Sequence, residues 1–134
     1  MERHDMDSAM IEFPPQSWDA YYRHREDIAA LLDPRCFSIG WMDTQLLSGD
    51  ALAFGTDDAV IIVTVKRYPA GATELHGLAA AGAFGGILEL IEQAEQWGRD
   101  KGLTFACISS RPAWARLLKA RGYYVNRVEI VKDL

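Results

Sequence analysis

Excess positive charge is the first thing this sequence lacks: 14 lysines and arginines stand against 19 aspartates and glutamates, a formal net charge of -5. General nucleic-acid binding needs a basic footprint that neutralises phosphates, so nucleic acid is not an expected partner. Long apolar runs are missing as well. The longest are of strand length, well short of the roughly 18 residues a membrane span needs, and no membrane partner is expected. Residues 1–7 are charged and lack the apolar centre of a secretory signal, which makes a cytoplasmic location the expectation. Cysteine is scarce, with only Cys36 and Cys107. Each lies in an apolar run, so the expected state is two buried free thiols in a reducing compartment; a disulfide between them stays open as the minority alternative. The three histidines, His4, His24 and His76, share no metal-ligand spacing with either cysteine, so no metal is expected. Ser109-Ser110 is not framed by the Gly-x-Ser-x-Gly of a nucleophile elbow and reads as a helix cap.

What is present is the balance of a folded domain, 49% hydrophobic and 25% charged residues over 134 positions. That length favours a single domain spanning 1–134, with residues 1–14 loosely ordered apart from a short strand at 10–13 that Pro14-Pro15 ends. Ser17 offers an N-cap, and Trp18, Tyr21, Tyr22, Ile28, Ala29 and Leu32 follow at helical spacing until Asp33-Pro34. Phe37, Ile39 and Trp41 alternate with Ser38, Gly40 and Met42, which predicts a half-buried strand. Residues 51–55 form a second candidate. Residues 59–65 are continuous and β-branched, the pattern of a central strand covered on both faces. Thr56-Asp57-Asp58 and Pro69-Ala70-Gly71 read as turns. Residues 86–101 make the clearest helix: Ile87, Leu88, Leu90, Ile91, Ala94 and Trp97 form one apolar face, and Glu89, Glu92, Gln93, Glu95 and Gln96 cover the other. A buried strand over 103–108, a helix opened by Pro112 and closed by Gly122, and a terminal strand over 123–132 complete the order. Trp18, Trp41, Trp97 and Trp114 fall on apolar faces and read as core. The layout is α/β (α+β), with helices flanking a mixed, mainly antiparallel sheet.

Within that order, residues 74–123 carry a set of short words: Glu74-Leu75-His76-Gly77-Leu78-Ala79-Ala80, then Gly85-Gly86-Ile87-Leu88, then Ser110-Arg111-Pro112-Ala113-Trp114, then Leu117-Leu118-Lys119-Ala120-Arg121-Gly122-Tyr123. Their order and spacing resemble the core of the GNAT superfamily, the acyl-CoA-dependent N-acetyltransferases, over about half of the chain. The resemblance implies a GNAT-like fold and an acetyl-CoA or CoA cofactor. Its pyrophosphate would meet backbone amides at a helix N-terminus, with Gly85 and Gly86 at the turn and the backbone of Leu78 and Ala80 along the pantetheine arm. The family turn pattern is Arg or Gln, two residues, Gly, one residue, then Gly or Ala. This chain has Ala80-Ala81-Gly82-Ala83-Phe84-Gly85-Gly86 instead, without the Arg or Gln. The glycines read either as an anion nest or as a tight strand-to-helix connection, with Glu89 in the first helical turn compensating the dipole.

Two further departures bear on chemistry. The family often places a tyrosine on the last helix as acid toward the departing thiolate; the matching position is Leu118. The proton acceptor is often a carboxylate on the strand before the turn, and Glu74 and His76 sit there, two apart and so on one face. They read either as a proton-handling pair or as ordinary strand residues that face solvent or share a local hydrogen bond. The family's terminal hairpin is cut to one strand, leaving the acceptor side open or completed by another subunit. The sequence thus leaves enzymatic status open. One reading is a GNAT-like protein with weak or no acetyl transfer, a structural or interaction module with a protein partner or a homo-oligomer, similar to degraded GNAT-like proteins of phages and prophages, some virion-associated. The alternative is an acetyl-CoA-dependent N-acetyltransferase acting on a primary amine.

Overall fold

The computed structural model describes residues 16–134; the strand expected at 10–13 lies outside the described residues. Four strands form one sheet in the order β1 (Ala51–Gly55), β2 (Ala59–Arg67), β3 (Thr73–Gly82), β4 (Phe105–Ile108). The β1–β2 and β2–β3 pairs are antiparallel, and β4 runs parallel to β3. A parallel pair needs a crossover, which α3 (Phe84–Asp100) supplies. Helices α1 (Trp18–Leu31) and α2 (Ile39–Ser48) precede the sheet, and α4 (Pro112–Lys119) follows it. The expected mixed, mainly antiparallel sheet flanked by helices is the fold observed.

The alternation along β2 divides the interior into two cores. Val60 and Ile62 pack with Tyr21, Ile28, Met42 and Leu46 from α1 and α2. Ala59, Ile61 and Val63 pack on the other face with Ile87, Leu90, Ile91 and Ala94 from α3 and Leu118 from α4. The continuous apolar run of β2 is explained by this double burial. Polar contacts tie the α1–α2 layer to the sheet. The Gln16 side chain donates to the carbonyls of Leu46 and Ala51 at 3.0 and 2.7 Å and accepts from the Ala53 amide at 2.7 Å. Tyr21 and Arg25 both donate to Asp43. The Arg25 guanidinium holds the Asp43 carboxyl below its ordinary range.

Three expectations are corrected. Residues 37–41 are not a strand. Ser38 caps α2 by accepting from the Trp41 amide at 3.1 Å, and Met42 and Leu46, four apart, are its buried positions. Helical spacing from Ile39 onward therefore prevailed over the short alternation Phe37, Ile39, Trp41. Residues 123–132 form no strand either. They have no ladder partner among the described residues, and Tyr124, Val125, Val128, Ile130 and Val131 are exposed. Cys36 is exposed, not buried, in the turn between α1 and α2; both cysteines are free thiols. Smaller shifts move the start of α3 to Phe84 and of β4 to Phe105, and β4 is half-buried with Phe105 exposed instead of the buried strand expected. Trp18, Trp41, Trp97 and Trp114 all pack partly buried against one core or the other.

Where α1 lies on β1 the approach is close. A Cβ on Gly55 would fall 2.2 Å from Ala20 Cβ and 3.0 Å from Ser17 Cβ. Neither neighbour is a flexible side-chain end, so any side chain at 55 must push α1 off the sheet. Gly55→Ala is therefore expected to destabilise the fold by about 1–3 kcal/mol, read as a lower urea midpoint.

Candidate functional site

The site is built where β3 changes partners. In the β2–β3 register Ile62 faces Ala79 and Val63 faces Gly77, so Leu78 is an extra, unopposed residue. Such a bulge bends its strand and re-aims the side chains around it. The β3–β4 pairing covers only Glu74↔Phe105 to Gly77↔Ile108, ending just before the bulge. From Leu78 to Gly82, β3 continues past the end of β4, so its ladder groups on that edge have no β4 partner.

Before the bulge, Leu75 points into the α3 core, which sends Glu74 and His76 to the opposite face. Both are buried polar residues, 3% and 8% exposed. His76 Nδ1 lies 2.6 Å from Glu74 Oε2, and the Tyr68 hydroxyl donates to Glu74 Oε1 at 2.5 Å. Tyr68 reaches across the turn joining β2 to β3 and stacks on Phe105 with ring centroids 6.3 Å apart. Cys107 is the register partner of His76 on β4, and a ligand atom from each of Glu74, His76 and Cys107 lies within 4.8 Å of the others.

The electrostatics follow from these contacts. Burial pushes the Glu74 carboxyl up, but the hydrogen bonds from Tyr68 and His76 outweigh it, and its pKa is lowered overall. An ionised carboxylate only accepts, so the His76 Nδ1–H must donate to it, which orients the ring. Burial, and then the Glu74 charge, raise the Cys107 thiol. The hydrogen bond to Glu74 raises the Tyr68 phenol. Glu74 and His76 do not face solvent, and they share a local hydrogen bond, which both the proton-handling and the ordinary-strand readings allow.

The other candidate positions separate. Leu78 is the bulge residue, and Ala80, paired with Ile61, belongs to β3 beyond β4. Gly85 and Gly86 lie inside the first turn of α3, not in a preceding loop, so Glu89 belongs to the second turn. Gly85 is open, whereas a Cβ on Gly86 would fall 2.7 Å from Asp58 Oδ1 and 2.9 Å from Ala59 Cβ. Gly86 is thus a packing glycine that seats α3 on the β1–β2 turn. Asp58 also accepts the Ala83 amide through its carbonyl at 2.9 Å. Its carboxylate, rather than Glu89, is the negative charge beside the α3 N-terminus. Leu118 is 3% exposed and lies in the core. The hydroxyl of Tyr123 donates to Glu95. Arg121 pairs with Glu92 at 2.7 Å.

Tyr68, Cys107 and Asp58 carried no signal in the linear sequence. Cys107 joins the cluster only through the β3–β4 register, and Asp58 meets α3 only because the β1–β2 turn folds beneath it. The alternation of Glu74 and His76 around Leu75 was the one legible sign.

Neither protein-family profiles nor curated protein sequences give a significant match to the chain. Solved structures do match in shape. An acetyltransferase from Trypanosoma brucei has a TM-score of 0.65 at 13% identity, over 87% of this chain and 94% of that one. A glucosamine-6-phosphate N-acetyltransferase from Arabidopsis thaliana has 0.61 at 7% identity, over 86% and 92%. A predicted acetyltransferase from Clostridium acetobutylicum, solved with acetyl-CoA, has 0.60 at 9% identity, over 87% and 88%. At these identities the likeness establishes the fold: the chain has the GNAT fold.

The depressed Glu74 pKa ties stability to pH. Because the folded value lies below the ordinary ~4.3, the stabilisation is complete above that value and is lost as pH falls through the folded pKa. Glu74→Gln should cost about 1–3 kcal/mol at neutral pH, and urea denaturation should show the gap to wild type closing as the pH falls below the ordinary carboxylate range.

Proposed function

We propose that this is a GNAT-fold protein with weak or no acetyl transfer, acting as an interaction module for a protein partner or a second copy of itself. One observation carries the reading. At the position on α4 where the family resemblance puts the proton donor to the departing thiolate, the side chain is Leu118, and it is packed in the core. A hydrocarbon donates no proton, and its burial shows that it fills a packing role. Tyr123, the nearest phenol along the chain, is bound to Glu95, and burial raises its pKa well above the ordinary phenol value. The Asp58 carboxylate against the first turn of α3 adds negative charge beside the amides that would meet a pyrophosphate. The exposed apolar residues from Tyr124 to Leu134 offer a surface that a partner would cover.

A second reading, an acetyl-CoA-dependent N-acetyltransferase for a primary amine, draws on the β3 bulge and on the oriented Glu74–His76 pair. Under it the Leu78–Ala80 backbone holds the pantetheine arm and Gly85 borders the pyrophosphate. His76 takes the proton from the attacking amine as the nitrogen–carbonyl bond forms and the carbon–sulfur bond breaks. The thiolate then takes its proton from water.

Calorimetric titration with acetyl-CoA separates the two. Gly85→Asp is the informative variant, because a Cβ there meets nothing within 4 Å, whereas a side chain at Gly86 would disturb the fold itself. The module reading predicts no binding heat at micromolar ligand, and the same result for wild type and Gly85→Asp. Binding near -8 kcal/mol, lost in Gly85→Asp and accompanied by acylation of an amine, overturns it in favour of the enzyme.

A further inference from the structure

Glu74, His76 and Cys107 bring a carboxylate oxygen, an imidazole nitrogen and a thiol sulfur to one spot, within 4.8 Å of one another, with Glu74 buried and Cys107 half-buried. We propose that this cluster is a binding site for one divalent cation of the zinc class, with these three side chains as ligands and a fourth position open to water or to a ligand atom. The inference stands with the module reading, because a metal on Nδ1 of His76 leaves the other ring nitrogen protonated and unable to accept the amine proton that the enzyme reading assigns to it.

The donor set fits the ion. Zinc takes sulfur, imidazole nitrogen and carboxylate oxygen together, at roughly 2.0–2.3 Å, and three protein ligands leave one position free. A carboxylate and a thiolate together neutralise a dication, so the buried site carries no net charge once filled. The scaffold is rigid. Glu74 and His76 are two apart on β3, and Cys107 is the direct partner of His76 on β4, so the sheet ladder sets the ligand spacing. The Glu74 and His76 side chains are only 4% and 11% exposed. Tyr68 holds Oε1 of Glu74, an outer hydrogen bond of the kind that orients a ligating carboxylate. It leaves Oε2, the oxygen facing His76 Nδ1, to the ion.

Binding replaces protons with metal. The ion takes the place of the proton that Nδ1 shares with Oε2, Cys107 binds as the thiolate, and both protons leave to solvent. Spacing along the chain conceals such a site, because Cys107 is a neighbour of His76 only through the parallel register.

The experiment uses untagged, chelator-treated full-length protein titrated with Co2+ and then Zn2+, followed by absorption spectroscopy and native mass spectrometry. One equivalent of Co2+ should give a thiolate-to-cobalt charge-transfer band in the near ultraviolet and the visible bands of four-coordinate geometry, and Zn2+ should displace it. Cys36→Ser should leave the spectrum unchanged. Cys107→Ser should abolish the charge-transfer band, and His76→Gln should weaken binding by at least about tenfold, with melting curves confirming that each variant is folded. The wild-type spectrum needs no variant. Failure of the wild type to take up either ion at micromolar concentration overturns the proposal. So does a charge-transfer band that survives Cys107→Ser and disappears in Cys36→Ser.

Discussion

The rest of the site depends on one unopposed residue, Leu78. By adding a position to β3 that β2 does not match, it divides the strand into two parts with different duties. The first part pairs with β4 and turns Glu74 and His76 away from the α3 core. The second runs on beyond β4 toward the α3 N-terminus. A regular ladder in place of the bulge would change the face presented by every side chain on one side of it. Either the Glu74–His76 face or the Ala81 packing against the α1–α2 core would then be lost.

The two ends of β3 show opposite chemistry. At the start, the ladder brings a buried carboxylate and imidazole together with a half-buried thiol and an exposed phenol, and the hydrogen bonds from Tyr68 and His76 outweigh the desolvation of Glu74. At the far end, the connection to α3 is closed by packing. Gly86 admits the Asp58 carboxylate, which lies beside the first turn of α3 and accepts from Thr56. A fold shared with acetyltransferases thus joins a strongly polarised strand face to a helix N-terminus that already has a negative neighbour. The negative neighbour at that helix N-terminus weighs toward the module reading, with Leu118 as its most direct support.

Much of the fold was legible in the sequence because its signals were redundant. Residues 59–65 could be covered on both faces only in a central strand, and the α3 face from Ile87 to Trp97 repeats over several turns. Residues 37–41 misled because five alternating residues fit a strand as well as the first turn of a capped helix, and only Met42 and Leu46 decide between them. The β-branched 123–132 segment misled because composition reports strand propensity and says nothing about an available partner. In the site, Glu74 and His76 were visible as a pair on one strand. Their burial was not, since it depends on what covers that face. The roles of Cys107, Tyr68 and Asp58 arise from register and from turn packing, neither of which leaves a local trace.

The central claim is that the β3 bulge locks His76 against an ionised Glu74 in a buried site. It is tested most directly by nitrogen-15 and proton NMR of the His76 ring in the metal-free protein at neutral pH. The account predicts a slowly exchanging, downfield Nδ1 proton from a hydrogen bond to a carboxylate, present in wild type and absent in Glu74→Gln. Rapid exchange and tautomer averaging like that of a solvent-exposed histidine, unchanged by the substitution, would contradict it.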